Sequence, residues 1–121
     1  MATSTPWGAA QYSKKYARGI IFYSTAGHGG FHLSPTVNSK VPEALRIEDG
    51  WYEEDCDWAL VFVSFPEIFK KEYANAIQAV RDWHPDRYEK HFGVELRPDE
   101  SYMKRRELAK QESVVAQNGS C

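Results

Sequence analysis

Apolar and polar positions alternate in three different rhythms along this chain, and each rhythm predicts a different element. Gly19-Ile20-Ile21-Phe22-Tyr23-Ser24-Thr25 is a run of β-branched and aromatic residues and predicts a strand. Ala26-Gly27-His28-Gly29 follows with residues that tolerate positive φ, so the chain is expected to reverse there. Gly30 to Leu33 then returns as a shorter strand, which Ser34-Pro35 ends. Trp58 to Val63 is almost continuously apolar and is read as a third strand, buried on both faces. Between the second and third, Pro42-Glu43-Ala44-Leu45-Arg46 is expected to form one helical turn that starts at the proline.

In the second half the rhythm becomes helical. Ser64-Phe65-Pro66-Glu67 fits a capping box. Phe69, Tyr73, Ala76, Ile77, Val80 and Trp83 follow at helical spacing and make one apolar stripe. Pro85 stops that helix and opens another, through Tyr88 and Phe92, which Gly93 ends. Pro98-Asp99-Glu100 opens a charged helix to about Glu112, with few apolar positions. Strands first and helices after predict an α+β fold: a small antiparallel sheet of about three strands packed against C-terminal helices. The expected core combines Ile20, Phe22, Leu60, Phe62, Phe69, Ile77, Val80 and Trp83.

With 121 residues the chain is expected to form one domain over residues 1–121, loose at about 1–5 and 113–121. Hydrophobic residues at 42% exclude the disordered class. The N-terminus shows no basic start and apolar run, and no stretch is long enough to span a bilayer, so a cytoplasmic protein is expected. Cys56 and Cys121 are read as two free thiols of a reducing compartment.

Charge changes the picture more than composition does. Residues 1–46 carry five basic and one acidic side chain, residues 47–69 seven acidic and none basic, and residues 70–121 ten basic and nine acidic. The middle of the chain is therefore an acidic block, the opposite of the basic stripe a nucleic-acid binder needs. Lys104-Arg105-Arg106 is the single basic cluster that competes with this reading, and it is diluted by Glu100 and Glu107.

Two segments concentrate the residues that carry chemistry. Residues 24–32 hold three glycines with His28 and His32, and residues 50–58 hold Glu53, Glu54, Asp55, Asp57, Cys56, two tryptophans and a tyrosine. His28 and His32, four apart in a hairpin, would share a strand face, and with Glu54 or Asp55 they form the candidate metal or general-base set of a small metal-dependent hydrolase, the enzymatic alternative to binding. Cys56 is a poor nucleophile, because Glu53, Glu54, Asp55 and Asp57 disfavour a thiolate. Gly27-His28-Gly29-Gly30 is shorter than the established phosphate loops and leads into a strand, so a tight turn is the better reading. The binding reading takes His28, Gly29, Gly30, Trp51, Tyr52, Glu53, Glu54, Asp55 and Asp57 as one contact surface. In it the carboxylates steer towards a basic protein partner, and Trp51 or Tyr52 anchors the contact. A nucleotide ligand at the His28 turn is its alternative; no cofactor and no resident metal is expected.

Thr5-Pro6-Trp7-Gly8, Ser24-Thr25 with His28-Gly29-Gly30, Leu33-Ser34-Pro35, Val41 to Arg46, Gly50 to Cys56 and Phe65-Pro66-Glu67 are together similar to a small uncharacterised domain family of phages, plasmids and other mobile elements of proteobacteria. The likeness covers roughly residues 5–92 and brings no catalytic or binding residue with it. It implies a setting in which small proteins counter host defences, as inhibitors that dock on CRISPR effectors or as sponges for nucleotide signals.

Overall fold

In a computed structural model, described here for residues 3–112, the chain forms a four-stranded antiparallel sheet whose strands pair in chain order, with helices behind it. The strands are β3 (Tyr12–Ala17), β4 (Ile20–Ser24), β5 (Gly29–Leu33) and β6 (Trp51–Glu53). A separate two-stranded ribbon, β1 (Ser4–Thr5) and β2 (Gly8–Ala9), precedes them. The helices are α1 (Pro35–Asn38), α2 (Trp58–Ser64), α3 (Tyr73–Trp83), α4 (Pro85–Phe92) and α5 (Tyr102–Glu112). The α+β reading holds, with one strand more in the main sheet than expected and a ribbon besides.

The largest correction concerns Trp58 to Val63, which is helix α2 and no strand. A short apolar run buried on every side has no period from which to choose. Ala59, Leu60, Val61, Phe62 and Val63 are all buried, because α2 lies between the sheet and α3 and has no solvent face. Two consequences follow in sequence. Ser64 is the last residue of α2 and donates its hydroxyl to the Leu60 carbonyl at 2.6 Å, so the expected capping box does not form. The following helix starts only at Tyr73, after a 3₁₀ turn at Lys70–Glu72. Gly93 ends α4 in the left-handed region, φ 67°, as its position after Phe92 predicts. Pro42 likewise leads into a 3₁₀ turn, Glu43–Leu45.

Sheet and helices meet at one core. Phe31 of β5 lies edge-on to Phe62 of α2 at 5.6 Å, and Phe62 stacks on Phe69 at 3.9 Å and 8°. Ile20, Leu33, Tyr52, Leu60 and Val80 complete the interior, whereas Phe22 and Ile77 pack against it half-buried and Trp83 turns to Tyr102 of α5. Ser4–Thr5, expected to be loose, is paired with Gly8–Ala9, and residues 1–2 and 113–121 lie outside the described residues. No helix among the described residues is long and apolar enough to cross a membrane.

Candidate functional site

Period-two alternation gives each strand an inner and an outer side. Register places Ile21, His32 and Trp51 in one row across the sheet and Tyr23, Gly30 and Glu53 in the next, all on the side away from α2. Phe31 and Tyr52 form the intervening, inward row. The outer side is therefore where the two segments rich in chemistry come together, through β5–β6 pairing that no local pattern announces.

An aromatic cluster covers this outer side. His32 packs on Trp51 at 4.3 Å, Tyr23 on Trp51 at 5.7 Å, and Trp7 meets Trp51 edge-on at 5.6 Å. Trp7 arrives from the tip of the β1–β2 ribbon, where Thr5 Oγ1 accepts from the Trp7 amide and donates to the Gly8 carbonyl. It lies directly over Gly30: a Cβ there would stand 2.3 Å from Trp7 Cη2 and 2.5 Å from the Tyr52 carbonyl. The glycine-rich segment is thus glycine-rich partly for packing. Thr5-Pro6-Trp7-Gly8, His28-Gly29-Gly30 and Gly50-Trp51-Tyr52 are three parts of one contact.

The turn between β4 and β5 is closed on itself. His28 donates its amide to Thr25 Oγ1 at 3.1 Å, while the Thr25 amide and hydroxyl both donate to the His28 carbonyl. Gly29 and Gly30 pair within the sheet, and the Glu54 amide donates to the Gly29 carbonyl at 3.0 Å. A phosphate cradle made from this run has lost the His28 amide and the ladder groups to internal bonds. The turn reading is the one the geometry supports.

His28, Glu53 and Asp55 come together: one ligand atom from each lies within 4.8 Å of the others. His28 and Asp55 are exposed, and Glu53 is half-buried. The proton on Glu53 is held more tightly than usual, first through burial and then through its hydrogen bond to Asp55 and the charges of Asp55 and Asp57; His28 opposes this. His32 is not part of the group. Trp7 covers Gly30, the residue midway between the two histidines, and His32 instead packs at a tilt against Trp51, where burial lowers its pKa against the pull of Asp49. Glu54 also stands outside the three, with Oε2 near Gly29. The set His28, His32, Glu54 and Asp55 is therefore not assembled; His28 with Glu53 and Asp55 is.

Other expected contact residues turn inward. Tyr52 is fully buried, donates its hydroxyl to Asn38 Oδ1 at 2.6 Å and accepts from the Ile47 amide at 3.0 Å, so it cannot anchor a partner. Burial raises its pKa. Asp57 accepts from the Glu53 amide at 3.3 Å and stands 3.1 Å from His84 Nε2, off-line for a hydrogen bond, tying the exit of β6 to the corner between α3 and α4. Cys56 is buried and disulfide-bonded, which corrects the free-thiol reading and removes it as a nucleophile; Cys121 lies outside the described residues.

The basic cluster is engaged as well. Lys104 pairs with Glu89 and donates to the Leu96 carbonyl, Arg105 donates to the Pro98 and Asp99 carbonyls, and Arg106 lies over Tyr102. These bonds fasten α5 to the segment before it, and Lys104 holds the Glu89 carboxyl below its usual range. Beside His32 and Gly50 a cleft of about 240 Å³ opens, lined also by Asn38, Arg46, Glu48 and Asp49. Arg46 donates to the Val41 and Ser39 carbonyls, and Arg87 of α4 donates to the Ala44 and Arg46 carbonyls.

Fold and site together define a small α+β domain whose sheet is backed by a buried helix and fronted by an aromatic and acidic face. Residues 1–114 match the family described as Domain of unknown function (DUF7007), and the chain belongs to that family. No curated protein and no solved structure matches it.

Proposed function

We propose that this is a non-enzymatic binding protein that docks the outer face of its sheet on a basic protein surface. The observation that carries this reading is the solvent side of β6. Trp51 stands there in an aromatic cluster, and Glu53 follows it two residues on, with Glu54 and Asp55 beyond the strand end. Among the described residues no lysine or arginine pairs with these three carboxylates. Carboxylates arranged so raise the rate of encounter with a basic partner, and a half-exposed tryptophan then supplies the anchor. Tyr52 leaves the contact surface, and Trp51, His32 and Trp7 form its centre.

What supports a defence complex as the partner is the resemblance of the sequence motifs to domains of phages and other mobile elements. On this reading the protein acts in the host cytoplasm and inhibits a defence complex of the CRISPR-effector kind by occupying its nucleic-acid groove. The test is a pull-down or defence-inhibition assay on folded variants. Trp51→Ala is expected to weaken binding at least about 30-fold, the effect of losing a contact worth about 2 kcal/mol. Glu53→Lys/Glu54→Lys is expected to slow association and flatten its salt dependence. Full activity in both variants would move the contact to another face. Loss only in His28→Ala would instead favour the nucleotide-signal sponge, because carboxylates repel phosphate.

A further inference from the structure

We propose that His28, Glu53 and Asp55 form a site for one divalent transition-metal ion, Zn²⁺ or Mn²⁺, bound through one imidazole nitrogen and two carboxylate oxygens. The three ligand atoms already lie within 4.8 Å of one another, close enough for one ion to reach all three after small side-chain adjustments. They come from two places in the chain, the β4–β5 turn and the end of β6, so nothing about sequence proximity forces His28 towards the acids.

The backbone beneath them is fixed on both sides. Thr25 ties down the turn at the His28 amide and carbonyl, Gly30 pairs with Glu53, and the Glu54 amide binds the Gly29 carbonyl. Trp7 above Gly30 holds the neighbouring strands from the outer side. Only side-chain rotamers therefore have to be ordered when an ion binds, and this lowers the entropic cost of binding.

The donor set selects the ion. An imidazole nitrogen disfavours Ca²⁺ and Mg²⁺, which take oxygen ligands, and the absence of a thiolate from the three disfavours Cu⁺. One nitrogen and two oxygens suit Zn²⁺ or Mn²⁺. Three protein ligands leave further positions for water or for a group brought by a partner.

The experiment titrates Zn²⁺ alone, and separately Mn²⁺ alone, into the full chain after chelator treatment, read by calorimetry and by the visible spectrum of a Co²⁺-loaded sample. One ion per chain is expected, with a Kd in the micromolar range or below. His28→Ala and Asp55→Asn should each weaken it at least tenfold, and His28→Ala should change the Co²⁺ spectrum. Glu53→Gln, nearly isosteric, gives the same answer should another variant fold poorly. His91→Ala, a surface histidine on α4, should bind as the unaltered chain does. Absence of saturable binding would overturn the site, as would binding that survives His28→Ala and Asp55→Asn. Because the metal is titrated without any partner, its failure leaves the docking proposal intact, and a failed pull-down leaves the metal site intact.

Discussion

The two sides of β6 hold polar groups in opposite conditions. Inward, Tyr52 has its hydroxyl saturated: it donates to Asn38, accepts from Ile47, and Asn38 Nδ2 donates on to the Ile47 carbonyl at 2.9 Å. Outward, Glu53 is held against Asp55 with no lysine or arginine paired to either among the described residues. A buried network with every member satisfied fixes a conformation and asks for nothing further. Carboxylates pressed together at a surface lower their free energy when a cation or a basic partner arrives. Saturation separates the structural residues of this segment from the functional candidates better than residue type does.

The strongest way to break that contrast is to damage the inward side. Tyr52→Ala removes a fully buried ring and should cost about 3–5 kcal/mol of stability, read from the urea midpoint. Tyr52→Phe keeps the ring but strands the Ile47 amide and Asn38 Oδ1, for about 1–3 kcal/mol. A midpoint unchanged in Tyr52→Phe would mean that the hydroxyl network does not hold the loop between β5 and β6.

Gly30→Ala comes next. Its Cβ would overlap both the Trp7 ring and the Tyr52 carbonyl, and overpacking of this kind costs about 1–3 kcal/mol. Adding Trp7→Ala should recover only part of the loss, since the carbonyl remains in the way. Complete recovery would show that the ring alone makes the site tight.

The smallest effect is expected on the outward side, and it carries a sign. Glu53 binds its proton more tightly in the folded chain than in the unfolded one. Between the ordinary carboxylate range and that raised value the folded state holds more protons, so stability falls as pH rises through this window. Glu53→Gln should abolish this decline and, near neutral pH, leave stability within about 0.5 kcal/mol of the unaltered chain. A decline of the original size in Glu53→Gln would assign it to another group. His32 has the reverse sign: its lowered pKa means that stability rises with pH from that value up to the ordinary histidine range.

The legible parts of this fold were those with a period. Ile20–Ser24, Gly29–Leu33 and Pro85–Phe92 lie where alternation, turn residues and Pro–Gly punctuation put them. Trp58–Ser64 was misread because burial on all sides erases period, and β-branched Val61 and Val63 then favour the wrong element. Tyr12–Ala17 was missed because an edge strand that is exposed almost throughout, with adjacent lysines and a register shift after Lys15, has no apolar face to announce it. At the site, the residue types were legible and their partnership was not. Glu53 meets His28 because β5 and β6 pair across seventeen intervening residues, and Trp7 separates His28 from His32 because a ribbon near the N-terminus folds over the sheet. Both are long-range facts.

The seat of Trp7 on Gly30 restricts how sequences of this family can drift. The space between the ribbon and the sheet is shared by two side chains, and here one of them takes all of it. Positions 7 and 30 are therefore expected to change together: glycine at 30 wherever 7 is a large ring, and a small residue at 7 wherever 30 has acquired a side chain. The Tyr52 carbonyl sets an upper bound on the second alternative, so the exchange should run mostly in one direction. A pair of positions twenty-three residues apart would then carry a covariance signal that neither position shows alone.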